Sequence, residues 1–248
     1  MKDSEPVTTP APRVLWRRLL AEFLGTALLV AVVVGSGIAA TQLSPDDVGI
    51  QLLENSTATV LGLAVLILML GPVSGAHFNP VVTIADWFLA RRSPQGFSAR
   101  HIAPYVVVQT MGAVAGSLVA NAMFDVGTTF SQHERASAGH LLGEVVATAG
   151  LVLLIFSLVR TDRTALVAPA VGAYIGAAYW FTSSTSFANP AVTIGRMFSD
   201  TFAGIAPSSV PAFLIAQMVG AAIGVVLTLA LYPSEATTPH AHPGEARV

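Results

Sequence analysis

Asn79-Pro80-Val81-Val82-Thr83-Ile84 and Asn189-Pro190-Ala191-Val192-Thr193-Ile194 are one phrase written twice, 110 residues apart. Each copy closes a long apolar segment and opens a short one, so each marks the start of a half-length helix. Proline suits the first helical position, where no amide bond is lost and its fixed φ is already helical. Asparagine suits the cap before it, and its side-chain amide keeps a donor to spare. Two such starts in an apolar chain point to a pore.

Outward from the motif, the 248 residues are 53% hydrophobic and only 10% charged, with a mean hydropathy of +0.68. That balance excludes an ordinary soluble domain and makes the chain an integral membrane protein. The run Leu19 to Ala40 is interrupted only by Glu22; as a helix it is roughly 33 Å long, against about 30 Å of bilayer core. Further spans read as Ser56–Leu70, Ile102–Phe124, Leu141–Val159, Ala165–Phe181 and Val210–Leu231. The expected fold is all-α, with six transmembrane helices. The first span is long for the core of a signal peptide, and no clear cleavage site follows it. The absence of cysteine excludes disulfides and thiolate metal sites.

Basic residues are unevenly placed. Lys2, Arg13, Arg17 and Arg18 precede the first span, Arg91, Arg92 and Arg100 the third; Arg160 and Arg163 join the fourth to the fifth, and Arg247 lies in the tail. Six spans put all of these on one side, and the positive-inside rule makes that side the cytoplasm. Arg135 and Arg196 fall on the other face, with Asp46, Asp47, Glu54, Asp125 and Glu134. The expectation is a multi-pass protein of the cell (inner) membrane with both termini cytoplasmic. Residues 1–12 and 233–248 read as mobile tails around a domain of residues 13–232.

The echo extends beyond the motif. Glu22 in span 1 matches Glu144 in span 4, and Gln109 in span 3 matches Gln217 in span 6. Each half, about 13–124 and 136–232, runs Glu, Asn-Pro, Gln through three spans. An odd number of spans inverts the second copy relative to the first. The short helices, Pro80–Leu89 and Pro190–Phe198, enter from opposite sides and meet with their positive dipole ends facing. Gly112/Gly116 and Gly220/Gly224 are spaced for close helix packing.

These residues together resemble the aquaporin, or major intrinsic protein, family over nearly all of Arg17–Tyr232. Ser74-Gly75-Ala76-His77-Phe78-Asn79-Pro80 resembles its first pore loop, and Ser186-Phe187-Ala188-Asn189-Pro190-Ala191 its second. The resemblance implies a passive channel for small neutral solutes in the lipid bilayer, assembled as a homotetramer, with no cofactor, metal, nucleic-acid partner or enzymatic activity. It implies Asn79 and Asn189 as donors to the permeant. The carbonyl ladder would come from Gly75, Ala76, His77, Thr185, Ser186 and Phe187. An intramembrane carboxylate is by default a candidate proton-relay site, but Glu22 and Glu144 recur symmetrically and read as braces for their loops, with Gln109 and Gln217. His77 reads as a fixed loop partner rather than a gate.

The sequence departs from the resemblance at Val192, where many water and glycerol channels carry arginine after the second Asn-Pro-Ala. Counting along the matched motifs without gaps, the rest of that constriction becomes Thr59, Ala177 and Ser186, all small. A wider, less polar filter is expected, admitting glycerol-like polyols as well as water. Val192, the Ser-Phe-Ala lead-in and Gly195-Arg196-Met197-Phe198-Ser199-Asp200 resemble a bacterial subgroup associated with arsenic resistance, which implies arsenous acid or methylated arsenicals as solutes. Arg196, four residues after Val192, has two readings: a displaced cation barrier, or a helix-end arginine paired with Asp200 or lipid headgroups. Asp86 holds the matching place in the first half. A secondary transporter is the alternative function, since inverted repeats and broken helices also build carriers.

Overall fold

The structure is a computed structural model, and it describes residues 14–91, 93 and 96–233. The two tails, apart from Pro233, lie outside the described residues, as do Lys2, Arg13, Arg92 and Arg247. Eight α-helices follow in chain order: α1 (Leu15–Leu43), α2 (Val48–Ser74), α3 (Pro80–Ala90), α4 (Ile102–Met123), α5 (Ala138–Arg160), α6 (Val167–Phe181), α7 (Pro190–Gly195) and α8 (Val210–Leu231). Six are long and apolar enough to cross a bilayer. The other two, α3 and α7, begin at the motif prolines.

Helix α2 starts eight residues before the apolar run that announced it. Asp47 caps it by accepting from the Ile50 amide at 3.0 Å. Its first turns bury two polar side chains: Gln51 donates to the Ser44 carbonyl at 2.7 Å and Asn55 to the Val33 carbonyl at 2.8 Å. Hydropathy misses such turns because their polar groups are satisfied inside the protein. Helix α7 is shorter than expected. It stops at Gly195 and continues as a tighter 3-10 turn through Arg196–Phe198.

The two halves pack by the same device. A side chain at Gly112 or Gly116 would collide with the carbonyl oxygens of Phe23 or Ala27 on α1. Gly220 and Gly224 meet Val145 and Ala149 on α5 in the same way. Backbones that approach this closely replace lipid contacts with dispersion and exclude any larger residue. Helices α1 and α5 are thereby drawn into the centre, and each carries one fully buried glutamate.

Candidate pore

The segments before the two motifs hold five of the seven non-glycine residues with positive φ among the described residues. Ala76 (φ 50°) and Phe78 (49°) on one side, and Thr185 (59°), Ser186 (52°) and Ala188 (46°) on the other, occupy the left-handed region without being glycine. Each costs about 1–3 kcal/mol and persists only where its surroundings over-determine it. The surroundings here are the buried glutamates. Glu22 Oε1 accepts from the Ser74 hydroxyl (2.6 Å) and the His77 amide (3.0 Å), and Oε2 from the Phe78 amide (2.7 Å) and Gln109 Nε2 (2.8 Å). Glu144 accepts from the amides of Phe187 and Ala188, both at 2.9 Å, and from Gln217 Nε2 at 2.6 Å. Neither carboxylate lines the cavity described below.

One threonine completes each bracket. Gln109 Nε2 also donates to Thr83 Oγ1 at 3.0 Å, and Thr83 donates to the Asn79 carbonyl at 3.1 Å. Gln217, Thr193 and Asn189 repeat the chain at 2.8 Å and 2.8 Å. Thr83 and Thr193 stand in the duplicated phrase itself, and their recurrence was the signal that could have singled them out.

Each motif asparagine does two jobs. Its side-chain oxygen caps its own helix, accepting from the Val81 amide in one case and from the Ala191 and Val192 amides in the other. Its nitrogen crosses to the opposite loop: Asn79 Nδ2 donates to the Ala188 carbonyl at 2.8 Å and Asn189 Nδ2 to the Phe78 carbonyl at 2.7 Å. The half-helices therefore meet at their N-termini, each asparagine retaining a second N–H.

A cavity of about 670 Å³ passes both asparagines. Toward the end of α3 it is walled by His77, Asp86, Val159 and Thr164; toward the end of α7 by Thr59, Tyr179, Ser186, Val192 and Arg196. Gly75, Ala76 and Phe187 also line it. Among the described residues, no group donates to the carbonyls of Gly75, Ala76, His77, Thr185, Ser186 or Phe187. The Ser186 hydroxyl is buried without a partner as well. Ala76, Ser186 and Phe187 are buried residues, and buried acceptors need water or a solute.

One expected filter residue is misplaced. Ala177 is exposed on the outer face of α6, beside Ala173 and Trp180. The face toward the cavity carries Val171, Ile175 and Tyr179, and the Tyr179 hydroxyl lies 3.2 Å from Thr59 Oγ1. A slip of two positions turns a side chain by about 200° around a helix, which converts a pore position into an outward one. The filter region is consequently neither free of aromatics nor free of charge.

Arg196 accounts for the charge. Its side chain is only 3% exposed. The guanidinium carbon sits 3.4 Å over the Phe187 ring, and Nε donates to the Ala203 carbonyl. The expected pairing with Asp200 is not made: that carboxylate accepts from the Gln132 amide at 2.9 Å and lies 3.9 Å from His133 Nε2. At the other mouth, His77 holds Thr83 Oγ1 at 3.1 Å through Nδ1 and Asp86 Oδ2 at 3.3 Å through Nε2.

Known proteins are similar to this chain in sequence and in fold. Residues 11–186 match the family described as Major intrinsic protein. The chain is 47% identical over 214 residues to Aquaglyceroporin AqpS of Rhizobium meliloti, covering 86% of this chain and 89% of that protein. It is 32% identical to the Glycerol uptake facilitator protein of Pseudomonas aeruginosa, covering 97% of this chain and 99% of that one. The fold is similar to the X-ray structure of the aquaglyceroporin from Plasmodium falciparum, with a TM-score of 0.66 and 21% identity over 88% of this chain and 96% of the other. Six spanning helices, two half-helices joined through their asparagines and this breadth of similarity have one meaning: the chain is a multi-pass membrane protein and belongs to the major intrinsic protein family of channels.

Proposed function

We propose that this protein is a passive channel for small uncharged solutes of glycerol-like size and for water, with undissociated arsenous acid or methylated arsenicals among the solutes it passes. One observation carries the reading: a cavity that runs past both motif asparagines and is lined by Gly75, Ala76, His77, Ser186 and Phe187, five of the six expected ladder residues (Thr185 is not in its wall), for whose carbonyls the described protein supplies no donor. A polyol entering from water exchanges its hydration for those carbonyls and for the remaining asparagine N–H groups, so its barrier stays low. An ion recovers less. Two helix N-termini converge at the crossing point, and their positive ends oppose a cation or hydronium there. Glu22 and Glu144 are occupied by loop amides, which supports a fixed scaffold over a carrier with a titrating coupling site. The α3 mouth is cytoplasmic in this reading, the membrane is the cell (inner) membrane, and the assembly is a homotetramer.

Val192, buried in the cavity wall, governs solute size. In proteoliposomes followed by light scattering, Val192→Arg slows glycerol, urea and arsenous acid at least about tenfold while water flux changes much less. Equal slowing of all four would remove Val192 from that role, and no solute flux in the wild type would overturn the channel reading.

A further inference from the structure

Resting on that reading, we propose that Arg196 is the specificity-determining charge of the α7 mouth: held over the Phe187 ring, it bars cations from the neutral-solute path and presents donors to a solute hydroxyl. Four observations converge on it. The side chain is 3% exposed, yet it lines the cavity. Among the described residues no carboxylate lies within ion-pairing distance, since Asp200 is directed to Gln132 and His133 and Glu144 to its own loop. Only Nε has a protein acceptor, the Ala203 carbonyl, so neither terminal nitrogen has one among the described residues. The neighbouring cation, Arg135, is turned away to the carbonyls of Gly204 (2.7 Å) and Phe202 (3.0 Å) while still approaching the same ring at 5.4 Å.

A buried guanidinium without an anion is costly unless something else offsets its charge. The face of Phe187 and one carbonyl do so in part. The remainder falls to whatever fills the cavity. Neutral hydroxyl-bearing molecules can accept from the free terminal nitrogens, and the partnerless Ser186 hydroxyl lines the same wall. A cation meets a buried like charge in a cavity shielded from bulk water, where Coulomb repulsion is stronger than in water. The equivalent place at the other mouth cannot act this way, because Asp86 is 31% exposed and faces His77. The barrier is one-ended.

The test uses the full chain in proteoliposomes, reading glycerol flux by light scattering and proton and sodium leak with entrapped dyes under a clamped potential. The wild type passes glycerol and is tight to both cations. Arg196→Gln, which keeps donors but removes the charge, raises cation leak at least about tenfold, and Arg196→Lys stays tight. The exchange variant Val192→Arg/Arg196→Val, which returns a guanidinium to the same wall one turn away, is tight again. Cation leak at the wild-type level in Arg196→Gln overturns the proposal. So does equal leak in Arg196→Gln and Arg196→Lys, or a leaky exchange variant, since both mark a packing role. Formate flux in the wild type that disappears in Arg196→Gln also overturns it, by making Arg196 an anion site. Absence of glycerol flux in the wild type strikes the channel reading instead, and the leak comparison still decides Arg196.

Discussion

The α3 mouth and the α7 mouth are built on one scaffold and finished with opposite chemistry. Glutamate, asparagine, threonine and glutamine recur at both, with bonds between 2.6 and 3.1 Å. Around them the pairs diverge. Two residues before the motif stands His77 on one side and Phe187 on the other; seven residues after its asparagine stands Asp86 or Arg196. Imidazole faces carboxylate in the first half, ring faces guanidinium in the second. Four residues before the bracing glutamine, Tyr105 donates to the Ser74 carbonyl at 3.0 Å and receives Arg18 at 2.8 Å, whereas Phe213 only packs on Phe187, 5.2 Å between centroids. Duplication preserved the bracket of glutamate, asparagine, threonine and glutamine, while the residues around it diverged.

The largest test of that comparison removes the braces. Glu22→Ala orphans four donors and Glu144→Ala three; at 1–3 kcal/mol per buried donor, the losses are roughly 4 and 3 kcal/mol or more. Thermal unfolding in detergent should rank Glu22→Ala below Glu144→Ala and both far below wild type. The reverse order would show that the Ser74 hydroxyl adds nothing to the first bracket.

A smaller test exchanges the divergent rings. Tyr105→Phe strips the hydroxyl that joins Arg18 to the Ser74 carbonyl, and Phe213→Tyr forces a hydroxyl into the apolar cluster of Phe187, Ile205 and Val210. Each should destabilise by about 1–3 kcal/mol. A neutral Phe213→Tyr would mean that the α7 side also holds a polar partner, and the contrast would narrow.

The smallest effect concerns a carboxylate outside the spans. The hydroxyls of Ser208 (2.6 Å) and Ser209 (2.8 Å) hold Glu134 below the ordinary carboxylate value of 4.5. A depressed folded-state value stabilises above the ordinary value, and that contribution is lost as pH falls through the folded one. Between about pH 6 and pH 3, the unfolding temperature of wild type should therefore fall slightly more than that of Glu134→Gln. Parallel curves would show that the two serine hydroxyls contribute nothing to stability through Glu134.

The spans, the half-helices and their inverted relation were legible because each rests on a local pattern: an apolar run, a proline after asparagine, a recurring glutamate. The braces were legible because they were written twice. Tyr179 was not, since its place depends on the rotational phase of α6, and counting back from the motif cannot fix phase through the irregular loop between Phe181 and Asn189. Arg196 was half legible. Its spacing from Val192 put it one turn away, but its burial depends on a 3-10 turn and on a ring lying nine residues upstream in sequence.

The crossed asparagine bonds also set a schedule for making the protein. Asn79 donates to a carbonyl 109 residues later in the chain. At about 5–20 residues per second, synthesis of the intervening chain takes roughly 5–20 s. For that interval α3 and its loop must wait in the nascent first half, held by bonds within that half, those of Glu22 and Gln109 foremost. The early glutamate is thus a holding clamp for an unfinished product, and a variant that weakens it should be lost during insertion before any mature channel exists to be assayed.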